Sequence, residues 1–254
     1  MAQRPASLRP PVLATLPSGG SEYTKSVPDY LVKESSLTLK LAFRKILSVL
    51  PVPGTTEFEN LFERLAPSGL RAEKYSVENP TGQIIKLSEA RVILSLLDDA
   101  IVMRIGYEGL EVLVPVVTAD MYDAARAMAG IVLECLMPEA AAGPGTMTVQ
   151  SFAHLELENG DAAGYLSEYF TIGDARVTPD AFALNLASLE ASLVGTCRVV
   201  VARSLRYPGA VFIDYTATYP PIGPMPLSTF VDHARRDYGE YLAMIRLSLK
   251  VAPQ

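Results

Sequence analysis

Leu37, Leu39, Leu41 and Phe43 alternate with polar neighbours in "SSLTLKLAF", and a period of two predicts a strand. "PVPG" stops it. Thr56 and Glu59 then form a capping box ahead of "FENLFERL". Phe58, Leu61, Phe62 and Leu65 fall at i, i+3, i+4 and i+7, one face of a helix that "APSG" terminates. After a turn at "NPTG" come three short apolar runs: Val92, Leu94 and Leu96, then "AIVMRI", then "LEVLVPVV". Asp98-Asp99 and "GYEG" separate them as tight turns, which favours antiparallel neighbours. Thr118 or Asp120 caps a helix through "MYDAARAMAGIVLECLM", apolar on most of its surface and so expected to cover a sheet.

"PEAAAGPGT" is the clearest linker, and the order then recurs. "TMTVQSFAHLELENG" reads as a strand through Val149, Phe152 (after a slip), Leu155 and Leu157. "DAAGYLSEYF" is a short helix capped by Asp161; in "DAFALNLASLEASLVG" Phe182, Leu184 and Leu186 alternate like a strand while Leu186, Leu189 and Leu193 suit a helix, and the strand is preferred. "CRVVVARSL" and "AVFIDYTATY" flank the turn "RYPG" as a hairpin. Ser228 caps a long final helix whose inner face carries Phe230, Ala234, Tyr238, Tyr241, Leu242 and Ile245.

Each half therefore reads strand, helix, antiparallel strands, longer helix. The expected fold is α+β: two similar lobes, each an antiparallel sheet with helices packed on one face, arranged as two sheets or as one continuous sheet. Residues 1–22, rich in Pro, Gly and Ser, are expected to be a flexible tail. A bland tail is expected sooner than a recognition peptide, although its stretch "LRPPVLATLP" could dock in extended form on a partner or on its own domain. Residues 23–142 form the first lobe and 143–254 the second.

The two-lobed order, and a third strand running into a helix that opens with an aromatic ("VTADMYDAA", with Tyr122), resemble a sporadically distributed family of bacterial proteins of about this size. That resemblance implies the two-lobed fold. It implies no reaction and no catalytic residues, because the family has none to transfer.

Composition narrows the function classes. Of 254 residues 49% are hydrophobic and 20% charged, enough for a sizeable core. The net charge is -6 with no basic run, which argues against nucleic acid held by phosphate contacts. No apolar run is long enough to span a bilayer and nothing resembles a signal peptide, so a cytoplasmic location and no membrane partner are expected. Cys135 and Cys197 are expected to be reduced core residues.

Candidate chemistry is thin. His154 shares a strand face with Glu156 and Glu158, which reads as a polar outer face sooner than a metal site. His233 lies among Asp232, Arg236 and Asp237, read as a charged outer helix face. No nucleophile elbow, Walker A or Gly-x-Gly-x-x-Gly is present, and Asp98-Asp99 suits a turn better than a cation. No cofactor, metal or catalytic residue is expected. The function expected is that of a non-enzymatic protein-binding or assembly component of a bacterial complex, with a protein partner or self-association. The alternative is a small-ligand binder or hydrolase between the lobes, using Tyr107, His154, Arg203, Arg206, Tyr215 and His233.

Overall fold

The computed structural model describes residues 30–71, 75–78, 90–137, 145–167, 171–172, 175–176, 181–187, 195–220 and 227–244. The expected flexible tail, most of the linker and Ile245 lie outside these residues, as do the side chains of Phe230, Tyr241 and Leu242.

The first strand, β1, covers Tyr30–Ala42 and is longer than its alternation indicates, because Leu31, Val32 and Lys33 are all exposed and do not alternate apolar with polar. Helix α1 (Thr56–Leu65) follows, then strands β2 (Tyr75–Glu78), β3 (Arg91–Leu96), β4 (Ile101–Gly106) and β5 (Gly109–Val114), and helix α2 (Ala119–Leu136). The second half holds β6 (Met147–Leu157), α3 (Ala162–Ser167), the small strands β7 (Thr171–Ile172) and β8 (Ala175–Arg176), β9 (Ala181–Ala187), β10 (Thr196–Arg203), β11 (Ala210–Tyr219) and α4 (Leu227–Met244). The turn after β3 uses consecutive left-handed residues, Leu97, Asp98 and Asp99, at φ of 52°, 53° and 70°. Aspartate tolerates that region through local backbone bonds, so the pair serves the turn.

Of the two arrangements expected, the single sheet is the one formed. Nine strands pair antiparallel in the order β2-β3-β4-β5-β1-β6-β11-β10-β9. β7 and β8 form a separate two-stranded piece. At the centre β1 pairs with β6 from Tyr30↔Leu157 to Leu41↔Met147, with a bulge between Val32 and Glu34. In the first half β1 pairs with β5, and β5 leads into α2. In the second half β6 pairs with β11, and β11 leads into α4.

Pleating sends alternate side chains to opposite faces. One face is dry: Leu37, Leu39 and Leu41 of β1, Met147, Val149, Leu155 and Leu157 of β6, and Val211, Ile213, Tyr215 and Tyr219 of β11 are almost fully buried. Leu61 and Leu65 of α1, Ala125, Ala129 and Val132 of α2, Tyr165 and Leu166 of α3, and Val231 and Ala234 of α4 close over it in the same core. The helices therefore share one face. On the other face Ile93, Val102, Leu113, Phe152, Val200 and Phe212 are half-buried and stand apart from that core.

Four local expectations are corrected. The cap of α1 is Thr55, one residue before Thr56, and its Oγ1 accepts from the Phe58 N–H at 3.2 Å. β6 alternates without a slip, so Phe152 points away from the core while Ser151 and Ala153 face it. The final helix begins at Leu227, before Ser228. Asp237 is no part of an outer face: it is 1% exposed and its Oδ2 accepts the Tyr219 hydroxyl at 2.9 Å. Thr118 and Asp161 do cap α2 and α3, accepting from the N–H groups of Met121 and Gly164. β2, whose four residues carry little pattern, was not legible. No helix among the described residues is long and apolar enough to cross a membrane.

Candidate functional site

Among the described residues the face opposite the helices carries a dense group of polar and aromatic side chains, at the end of β6 beside the β10–β11 turn. Register brings it together. His154 lies opposite Glu34 of β1 on one side and opposite Phe212 of β11 on the other. Phe152, two residues back, shares their face. The turn "SLRYPG" adds Ser204, Arg206 and Tyr207, and Gly209 completes it at φ 76°. A Cβ on Gly209 would stand 2.7 Å from the Gly160 carbonyl oxygen, so the turn presses on the end of β6 and requires glycine.

The rings form a continuous cluster. His154 lies 4.9 Å from Phe212, 5.2 Å from Tyr207 in edge contact, and 6.2 Å from Phe152. Phe152 and Phe212 are 6.2 Å apart. Such separations are those of favourable aromatic pairs. Arg206 Nη1 contacts both oxygens of Glu34 at 2.8 and 2.7 Å, and the Tyr207 hydroxyl donates to Glu34 Oε2 at 3.2 Å. Lys33 pairs with Glu156 at 2.6 Å alongside. Around this group Leu31 is 56% exposed and Leu205 fully exposed, both large apolar side chains left in water.

Ser204 fixes the state of the histidine. Its hydroxyl has one proton and two lone pairs. Its oxygen accepts from the backbone N–H of Arg206 at 3.2 Å and of Tyr207 at 2.9 Å. The remaining proton goes to Nδ1 of His154, 2.9 Å away. The ring is then neutral with its own proton on Nε2, which makes Nε2 a donor. Burial lowers the His154 pKa below its ordinary value, Arg206 adds to that, and Glu34 opposes it. The same bonds speak against Ser204 as a nucleophile, because both lone pairs of its oxygen are engaged by the turn.

Of the six residues singled out from the sequence, the fold brings His154 and Arg206 together. Arg203 ends β10 nearby, exposed. Tyr107 sits in the β4–β5 turn of the first half, where its carbonyl accepts from the Leu47 N–H. Tyr215 is buried under α4, its hydroxyl 3.4 Å from the Ala234 carbonyl and 3.9 Å from Cys197 Sγ. Burial drives its pKa far upward. His233 rests on α4 against Arg236, across the sheet from His154. The residues missed were Glu34, Phe152, Ser204, Tyr207 and Phe212. The available signal was a Ser three residues ahead of an aromatic inside a hairpin turn, with Phe152 and His154 on the polar side of β6.

Among the described residues no group of three or more His, Cys, Asp or Glu side chains is placed to hold a metal ion. Cys135 and Cys197 are free thiols, Cys197 in the core and Cys135 half-buried. Cys135 borders an open groove between α1 and α2 with Asn60, Glu63, Arg64 and Glu134. An ion pair of 2.7 Å between Arg64 and Glu134 spans it. Compared with known proteins, the chain matches no family model and no curated sequence.

Proposed function

We propose that this chain is a non-enzymatic protein-binding or assembly component whose recognition surface is the open sheet face around His154. One observation carries the reading: a cluster of four rings, half-exposed and rimmed by exposed Leu31 and Leu205, on the face opposite the described helices. Aromatic residues dominate the energetics of protein contacts because they remove large apolar area from water at small entropic cost. The locked Ser204–His154 pair favours contact over bond-making.

The two halves are read as copies of one unit, in support of which each pairs its first strand with the last strand before its long helix. A cytoplasmic setting fits the free thiols.

The test is affinity capture from the native host with the wild-type chain and with Phe152→Ser, a half-exposed position outside the core. A stoichiometric partner, or self-association, that the wild type shows and the variant loses supports the reading. Capture that is indifferent to Phe152, or hydrolysis of an ester substrate that is lost in Ser204→Ala, overturns it in favour of the binder or hydrolase alternative.

A further inference from the structure

The aromatic patch lies where the chain enters the fold. Tyr30 opens β1 opposite Leu157, the next residue is the exposed Leu31 opposite Glu156, and Glu34 stands opposite His154. Twenty-nine residues precede Tyr30, and they include "LRPPVLATL" at positions 8–16. We propose that this Pro-Pro stretch is an occupant of the patch, docking in cis on the rings of Phe152, His154, Tyr207 and Phe212.

Three features support it. Consecutive prolines favour an extended, internally unbonded backbone, and walls of aromatic rings are the surface that recognises such a segment. A segment in that extended form offers carbonyls to an outside donor, and the Nε2–H of His154 is a donor held ready by Ser204. Reach is ample: residues 17–29 span up to ~40 Å when extended, whereas the four residue-to-residue steps of β1 from Tyr30 to Glu34 cover only ~13 Å. A tether of that length gives an effective concentration in the millimolar range, so a weak contact is filled within one molecule. The inference rests on the reading of this face as a binding surface and adds that the chain competes with its own partner for it.

Histidine makes the test specific, because the chain holds only two. The full chain is labelled with carbon-13 at the imidazoles, and the two signals are assigned with His233→Gln. The triple substitution Pro10→Gly, Pro11→Gly, Leu13→Ser lies outside β1 and every element after it. The expected result is a shift of the His154 signal with the His233 signal unmoved, unchanged on roughly tenfold dilution. An unmoved His154 signal overturns the proposal. So does a shift that vanishes on dilution, which would mean docking on a second copy. A Phe152-sensitive partner captured alongside an unmoved His154 signal sinks the tail proposal alone and leaves the binding face standing.

Discussion

The hydroxyl of Tyr122, on α2, donates to the backbone carbonyl of Val231, on α4, at 2.8 Å in a buried setting. The bond joins the last helix of the first half to the last helix of the second. Arg235 lies 5.2 Å over the Tyr122 ring, and Arg126 pairs with Asp232 at 2.7 Å beside it. The Val231 carbonyl already belongs to a helix, so losing its second donor leaves no orphaned group. Tyr122→Phe is therefore expected to lower stability by about 1 kcal/mol, the net worth of a neutral buried bond. Urea denaturation followed by circular dichroism reads the midpoint. An unchanged midpoint would mean that the helix layer holds by apolar packing alone.

Tyr219 and Tyr215 offer a graded comparison under the same helix. Tyr219 donates to the buried Asp237 carboxyl at 2.9 Å, whereas the Tyr215 hydroxyl, bonded to Tyr219 and 3.4 Å from the Ala234 carbonyl, meets neutral groups. A buried carboxyl that loses a donor is left with an unmet acceptor, and such groups cost more than neutral ones. Tyr219→Phe is expected to destabilise by about 1–3 kcal/mol and Tyr215→Phe, which gives up bonds to neutral groups, by about 1 kcal/mol. The reverse order in urea midpoints would refute the assignment of Asp237 as the polar anchor of α4.

The helix layer and α+β class were legible because the apolar spacing is strong in Phe58–Leu65 and in Ala119–Leu136. Asp237 was misread as surface for a physical reason: a charged residue among Asp232, Arg235 and Arg236 looks like a solvated face until the hydroxyl of Tyr219 is known to sit beneath it. The site was half legible. His154 and Arg206 stood out by type, but Glu34 is 120 positions from His154 in sequence and meets it only through the β1–β6 register. A single sequence carries register weakly when strands are long and pairing is between halves. Phe152 was assigned to the core because a large aromatic suits it. The alternation of Met147, Val149 and Leu155 overrides that preference.

Alkali tests the buried phenols. Burial raises the pKa of Tyr238 to about 12, and those of Tyr122, Tyr215 and Tyr219 higher. The folded state thus holds protons that the unfolded chain releases near pH 10. Their contribution is complete below that pH and is lost as pH rises toward and through the folded values. Phenolate absorbance is expected to show these four of the twelve tyrosines ionising only together with unfolding. Smooth ionisation of all twelve in a chain that stays folded would contradict the burial.

Acid acts on the patch in the opposite sense. The folded His154 pKa is depressed, so the unfolded chain binds the proton more readily. Its contribution is present above about pH 6.5 and fades as pH falls toward the folded value. A protonated ring also turns Nδ1 into a donor facing the Ser204 proton, which loosens the turn. The wild type is expected to lose more melting temperature between roughly pH 7 and pH 5 than His154→Gln, which keeps an acceptor without titrating. Parallel pH profiles for the two would remove Ser204 as the keeper of the tautomer.

The ladder between β1 and β6 also guards the protein against stray association. Severing the polypeptide in the stretch between α2 and β6 would give two fragments, each with its opening strand stripped of a neighbour along eleven paired positions. A bare border of that extent invites promiscuous pairing. The β1–β6 ladder turns both borders inward against each other, so neither half offers its opening strand to a stray chain.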